Sequence, residues 1–464
     1  MKKPLLAFAS LLIGFSNLNA QGFQPVQITA GDNHSVVRCV TNTAESFGDN
    51  SSGELGDGTF TDNSTPVQVA LTDIYSVTAK GFQTIFLKTD GTVWGSGWNN
   101  FGQLGDGSNT DRSTPAQVTS LTNIIGIGAG ISHTLFIHED STVSSTGNNL
   151  AGQLGDGTNN DRNTPDAIPG LDSVVEVTGG TYHSLFLKDN GTVWAVGGNF
   201  SGQLGDGTTD NRLSLIQIPG LTNIIAIAAG ESHSLFLKDD GTVWACGNNS
   251  YGQLGDGTTD NQLSPVQVSG LTDIIAVSAA YSHSLFLKDD GTVYACGLNN
   301  YGQLGNNLQT STGANPPSQV SNITGVTAIA AGASQSLFLK GDGTVWACGS
   351  NSDGQLGDGG VTFGNSLVPI ETIEMCNVTA LNETEMEVSI YPNPSNGNFT
   401  VNVSGNDAAN SQITIYNSIG QIVYSEQINS AKTQIDLSNQ TSGIYFCRVE
   451  SKTKTILSEK ILLR

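Results

Sequence analysis

Ile224-Ile225-Ala226-Ile227-Ala228, then Gly230-Glu231-Ser232, Ser234-Leu235-Phe236-Leu237-Lys238, Asp239-Asp240-Gly241 and Thr242-Val243-Trp244-Ala245-Cys246 form the stretch that decides the fold. Two apolar runs are separated by a turn. A hairpin signal follows, because Gly241 accepts positive φ without a Cβ clash, and a return strand comes after it. A Gly-, Asn- and Thr-rich loop then leads to Pro265-Val266-Gln267-Val268, a fourth strand whose first-position proline suits a sheet edge. The runs are apolar on consecutive residues instead of alternate ones, which is how a strand covered on both faces reads.

The loop carries a signature that recurs along the chain. Gly-Gln-Leu-Gly-Asp-Gly stands at Gly102, Gly152, Gly202, Gly252 and Gly354, with variants at Gly53 (Glu54 for Gln) and Gly302. Seven units of about 50 residues at near-constant spacing are a structural repeat. One four-stranded sheet cannot bury both its faces, but a stack of such sheets can. Radial stacking gives a β-propeller, for which seven blades is an ordinary number. An open solenoid is the rival arrangement.

Composition agrees with a turn-rich, acidic all-β chain. Gly is 57 of 464 residues, and 18 Lys and Arg face 41 Asp and Glu for a net charge of −23. Such a balance disfavours nucleic-acid and anionic-membrane partners, which need Lys and Arg. Lys2 and Lys3 lie in the first segment, and the last ninety residues hold 6 basic against 8 acidic side chains. The repeat region therefore carries essentially the whole imbalance.

The ends differ from the middle. Met1-Lys2-Lys3, an apolar run from Leu5 to Phe15 and Leu18-Asn19-Ala20 make residues 1–20 a secretory signal peptide in this reading. No other stretch is long and apolar enough to span a bilayer. The repeats are assigned to 21–374, a polar linker to 375–387 and a terminal domain to 388–464. That domain shows alternating patterns at Val388–Tyr391, Asn398–Val403, Gln412–Asn417, Gln421–Tyr424, Thr433–Leu437 and Gly443–Val449, with a turn at Asn417-Ser418-Ile419-Gly420. A small antiparallel, immunoglobulin-like sandwich is expected.

Two family resemblances add to this. Ala-x-Gly-x-x-His-[Ser/Thr]-Leu, then Asp-Gly-Thr-Val-Trp and Gly-Gln-Leu-Gly resemble the regulator of chromosome condensation repeat over about Phe23 to Glu374. The resemblance implies a seven-bladed propeller. It leaves function open, because the fold serves exchange factors, a light receptor, secreted inhibitors and scaffolds. The terminal domain resembles the type A C-terminal sorting domain of the type IX secretion system of Bacteroidota. The residues that carry this are Tyr391-Pro392-Asn393-Pro394, Asn396-Gly397-Asn398-Phe399, Ser442-Gly443-Ile444-Tyr445 and the closing Lys460 to Arg464. This resemblance implies export to the outer surface or medium by way of the periplasm, contact with the secretion machinery, and removal of the domain afterwards.

Candidate chemistry is sparse. His34, His133, His183, His233 and His283 share one repeat position, with Gln83 and Gln335 in the other two units. A shared metal would need them to converge on the axis, since ligands about 2.1 Å from one ion sit close together. A hydrogen bond to the turn of each histidine's own blade is the expected role. Cys246, Cys296 and Cys348 share another position. Facing sheets lie about 10 Å apart, which is too far for a disulfide, so they are expected to be free core residues. Pairing of Cys376 and Cys447 is left open. The loops from Asp206 to Asp210 and from Asp256 to Asp260 offer oxygens but lack the spacing of a calcium loop, and are expected to be turns. No phosphate loop and no cofactor motif is present.

The remaining candidates are Trp98, Phe101, Leu150, Phe200, Tyr251 and Tyr301, which lie just before the Gly-Gln-Leu-Gly segments where the units vary most. Aromatic anchors among polar loops suit a binding rim; packing between blades is the other reading. The functional expectation is a secreted, non-enzymatic propeller that binds an extracellular protein. The alternative is an enzyme inhibitor resembling the β-lactamase-inhibitor propeller. Guanine-nucleotide exchange and carbohydrate-active catalysis rank below both.

Overall fold

The computed structural model describes residues 25–360, 364–376, 387–391, 395–404, 412–417, 422–427, 432–440, 443–450 and 455–463. The segment read as a signal peptide, Pro392-Asn393-Pro394 and most of the linker lie outside them. The chain divides into two compact units, Met1–Asn377 and Val378–Arg464. Among the described residues, no helix is long and apolar enough to cross a membrane.

The first unit consists of seven four-stranded antiparallel sheets, each built from consecutive strands. Blade 5 is typical, with Ile224–Ala229, His233–Lys238, Val243–Gly247 and Gln262–Gln267 in spatial order. First strands of neighbouring blades pack on one another, and Val326–Ala331 of blade 7 packs on Pro25–Ala30 of blade 1, so the sheets form a closed ring around an axis.

The doubly apolar runs now have a cause. Phe236 is fully buried with Leu185, Leu187 and Val193 of blade 4, whereas Leu235 and Leu237 face Phe286 of blade 6. One strand thus serves two clusters on its two faces. Phe86, Phe136, Phe186, Phe286 and Phe338 repeat the arrangement with no exposure at all. Burial of a phenylalanine at such a site typically stabilises by about 3–5 kcal/mol relative to alanine. The leucine of the loop signature, Leu254 in blade 5, belongs to the cluster of Leu235, Leu237 and Phe286.

The fourth strand begins earlier than the sequence suggests. Pro265 is its fourth residue, not its first. It is tolerated there because this strand is the outer edge of the sheet, and the pairing slips by a bulge between Ala245 and Gly247.

Ring closure uses no strand shared between the two ends of the chain. Cys376, just past blade 7, is disulfide-bonded to Cys39 in the second strand of blade 1, a sequence separation of 337. Its N–H also donates to Glu45 Oε2 of blade 1 at 3.1 Å, and Met375 and Cys376 are buried in the cluster that joins blades 7 and 1. Cys246, Cys296 and Cys348 are free and buried.

The second unit pairs a sheet of Glu387–Tyr391, Asn398–Ser404 and Lys432–Asp436 with one of Ile422–Gln427, Gln412–Asn417, Gly443–Glu450 and Thr455–Leu463. Phe399, Val401, Ile413, Ile415, Tyr445 and Ile461 build its core. The last strand was read in the sequence only as a closing motif; it pairs along the whole length of Gly443–Glu450.

Candidate functional site

Antiparallel connectivity sorts the loops between the two ends of the propeller. Turns from the first to the second strand and loops from the third to the fourth emerge at one end. Backbone bonds tie the two sets together there: Asn248 N–H donates to Ser232 O at 2.8 Å and Trp98 N–H to Phe82 O at 2.8 Å. Gly247, at φ 104°, permits this approach, since a Cβ would stand 2.4 Å from Ser232 O. This end therefore combines the mouth of the axial channel with the loop rim.

The rim loops are braced by one asparagine each. In blade 5, Asn249 Oδ1 accepts from Leu254 N–H at 3.0 Å, while Nδ2 donates to Asp256 at 3.0 Å and to Thr258 O at 3.0 Å. Gln253 Oε1 accepts from Tyr251 N–H at 3.0 Å. Of the carboxylates weighed as calcium ligands, Asp206 and Asp256 are engaged within their own loops. Asp256 accepts from Thr258 and Gln262, and Asp206 accepts from Thr208 and pairs with Arg212 at 2.6 Å. Among the described residues, no group of three or more His, Cys, Asp and Glu side chains is placed to hold a metal ion. In blade 1 the glutamine becomes Glu54. Its Oε2 accepts from Ser52 N–H at 2.8 Å, and burial, with the nearby charges of Asp49 and Asp62, pushes its carboxyl up to about 8.

The histidines behave differently from expectation. Each bonds the next blade instead of the turn of its own. His233 Nε2 lies 3.0 Å from Ser284 Oγ, and Ser284 donates to Gln253 O at 2.8 Å. The serine hydrogen is thus committed, so the histidine must be the donor. His34 with Thr84, His133 with Ser184, His183 with Ser234 and His283 with Ser336 repeat the pair. Gln83 reaches Gly130 O and His133 O of blade 3, and Gln335 reaches Gly31 O and His34 O of blade 1. A ring of side chains therefore stitches every seam, the closing one included. Burial lowers all five histidines, His233 to about 3 and His34 to about 4, so they are neutral at ordinary pH. Neighbouring blades are too far away in sequence for the repeat alone to reveal these partners.

At the rim, Leu150 and Phe200 are 69% and 67% exposed, and Tyr251 and Tyr301 are also exposed. Trp98 and Phe101 are half-buried against each other, edge to face at 5.3 Å. The others sit on separate blades. In the second unit, Tyr391 is exposed, Tyr445 is buried in the core, Gly443 opens its strand and Lys460 pairs in register with Phe446.

The mouth was not singled out in the sequence. Its ring position reads Asp32, Gly81, Ile131, Thr181, Glu231, Tyr281 and Ala333 around the seven blades. Lys80 stands where most blades have glycine. It crosses the axis from blade 2 to donate to Ala229 O of blade 5. Burial lowers Lys80 to about 8 and Asp32 opposes this; burial raises Asp32 to about 6 and Lys80 opposes that. Glu231 is raised by burial, with the Tyr281 hydroxyl donating to it. Asp32 thus faces Lys80, Glu231 lines the same opening, and Tyr182 and Tyr281 are exposed. The signal available in the sequence was the break in the glycine position at Lys80.

Fold and site together define an all-β propeller that displays varied loops on a constant frame, joined to a separate export domain. The regulator of chromosome condensation (RCC1) repeat model matches residues 90–137, 141–187, 190–237, 240–287 and 290–339, and a second model of that repeat matches five segments between 74 and 355. The chain belongs to this repeat family. The secretion system C-terminal sorting domain model matches residues 389–464. No curated protein matches the chain. Among solved structures it is similar to Prp20p from Saccharomyces cerevisiae, at 22% identity and TM-score 0.64 over 79% of this chain and 90% of that one. Yeast RCC1 (Prp20) solved with Kap60 gives 20% identity and TM-score 0.65 over 84% and 93%. Human WBSCR16 gives 24% and 0.63 over 77% and 97%. These likenesses concern the fold. The sorting domain marks the chain for export through the type IX secretion system to the cell surface or extracellular space.

Proposed function

We propose that this chain is a secreted protein-binding propeller without catalysis, and that it binds through the end carrying the channel mouth and the rim. One observation carries the reading. On that end, side chains differ from blade to blade at positions whose immediate neighbours hardly change, as the ring from Asp32 to Ala333 does between the repeated glycine and histidine. Constant positions hold the frame, and varied ones beside them are free to make contacts. Exposed Leu150, Phe200, Tyr251 and Tyr301 supply apolar anchors. The acidic mouth and the net charge of −23 favour a basic or neutral protein partner.

The test compares variants of the secreted protein as bait in spent medium, followed by mass spectrometry. Tyr251→Ala with Tyr301→Ala should keep the fold and lose the species captured by wild type. Asp32→Asn with Glu231→Gln should weaken capture and reduce its salt dependence. If both variants keep every partner of the wild type, this end is not the binding face.

A further inference from the structure

The first strand of each blade is a sheet edge facing the axis, so its outward N–H and C=O groups need partners. Between blades 1 and 2 one side chain meets that need twice. Gln27 Nε2 donates to Val77 O at 2.9 Å, and Gln27 Oε1 accepts from Val77 N–H at 3.2 Å. At the repeat position of Gln27, blade 4 carries Glu176, and at that of Val77, blade 5 carries Ile227. The Glu176 carboxyl accepts from Ile227 N–H. Its Oε2 is sealed from solvent, and no donor among the described residues reaches it. A carboxylate can only accept, whereas a neutral acid also donates.

We propose that Glu176 is a neutral carboxylic acid that copies the Gln27 clip, accepting from the Ile227 N–H and donating its proton to the Ile227 carbonyl, so that the seam between blades 4 and 5 loosens under alkaline conditions. Burial supports this by raising the carboxyl from 4.5 to about 8, with the Ile227 bond opposing. The surrounding charges offer no substitute for the proton. The first strands on either side, Ile124–Ala129 and Ile224–Ala229, carry no titratable group. His133 and His183, on the second strands of blades 3 and 4, are kept neutral by burial. His138 bonds Ser144, Lys188 pairs with Asp172, and Lys80 is engaged with Ala229 O. The same seam continues to the mouth, where Thr181 N–H donates to Glu231 O at 3.1 Å. Loosening it disturbs the mouth as well.

The sign follows from the raised value. Between 4.5 and about 8 the folded chain holds a proton that the unfolded chain has released, so stability falls as pH rises through this window and then levels off. The test is Glu176→Gln in the full chain, unfolded in denaturant from pH 5 to 9.5. The variant should match or exceed wild type at pH 5. Its advantage should grow by up to about tenfold in the unfolding constant per pH unit across the window. Hydrogen exchange should show the wild-type Ile227 amide losing protection by pH 9 while the variant keeps it. An infrared difference spectrum at pH 7 should show one protonated carboxyl fewer in the variant. Parallel stability profiles, or an unchanged carboxyl band, would overturn the proposal.

Discussion

The seams between blades and the tips of the rim loops lie within one short loop of each other, and they obey opposite rules. A seam such as that between blades 5 and 6 is made of His233, Ser284, Gln253 O, Leu235 and Phe286, all fully buried, and the same kinds of residue recur in the other blades. The tips, Leu150, Phe200, Tyr251 and Tyr301, have exposed side chains, and only the backbone of the two tyrosines is held by the repeated glutamine. The difference teaches that the residues that hold the frame and those left free at the surface are separate here, so each set can change without the other.

The largest expected effect breaks the comparison at the closing seam. Blades 7 and 1 are joined across the ends of the chain by Cys39–Cys376. Cys39→Ser with Cys376→Ser should cost on the order of 5 kcal/mol, the upper end for a very long closed loop. Urea unfolding under non-reducing conditions would read it. A variant as stable as wild type would show that Gln335 and packing close the ring alone.

Acid probes the ordinary seams. A buried neutral histidine contributes stability that is fully present above its unfolded value of 6.5 and is lost as pH falls toward the folded value, about 3 for His233. At pH 5 each such histidine costs about 2 kcal/mol. His233→Gln, the residue already present at Gln83 and Gln335, should be less stable than wild type at pH 8 and close the gap by pH 5. Constant separation at both pH values would contradict the seam assignment.

At the tips the expectation reverses. Tyr251→Ala with Tyr301→Ala should change unfolding by less than about 0.5 kcal/mol, as exposed substitutions do. Partner affinity should drop by about 2 kcal/mol if either is an anchor. A fall of several degrees in Tm with capture intact would assign both tyrosines to the frame. The smallest effect concerns the second unit. Because it has its own core, removing residues 378–464 should leave the thermal unfolding of the propeller unmoved while abolishing its export.

Much of this is legible in the sequence. The spacing of Gly-Gln-Leu-Gly gave the number of blades, and the doubly apolar run Leu235-Phe236-Leu237 gave their stacking. What stayed hidden depends on contacts between repeats. The partner of His233 is Ser284, 51 residues away. Register along one strand cannot tell whether a ring turns inward to its own turn or across to the next blade. Lys80 reaches Ala229 O only because the ring closes, which brings blades 2 and 5 to one axis. Cys39 gave no sign of its partner because loop closure across the whole propeller is not a local property. Pro265 misled for a local reason: proline marks an edge strand, not its starting residue.

The Cys39–Cys376 bond also changes what proteolysis can do. With those two residues joined, the backbone between them is a covalent loop, and the residues beyond form tails on a lariat. A single cut in any rim loop then yields two fragments that remain one molecule, held both by the disulfide and by the side chains across every seam. A cut beyond Cys376 sheds a tail and leaves the loop whole. A nicked propeller should therefore migrate intact on a non-reducing gel and split only when reduced.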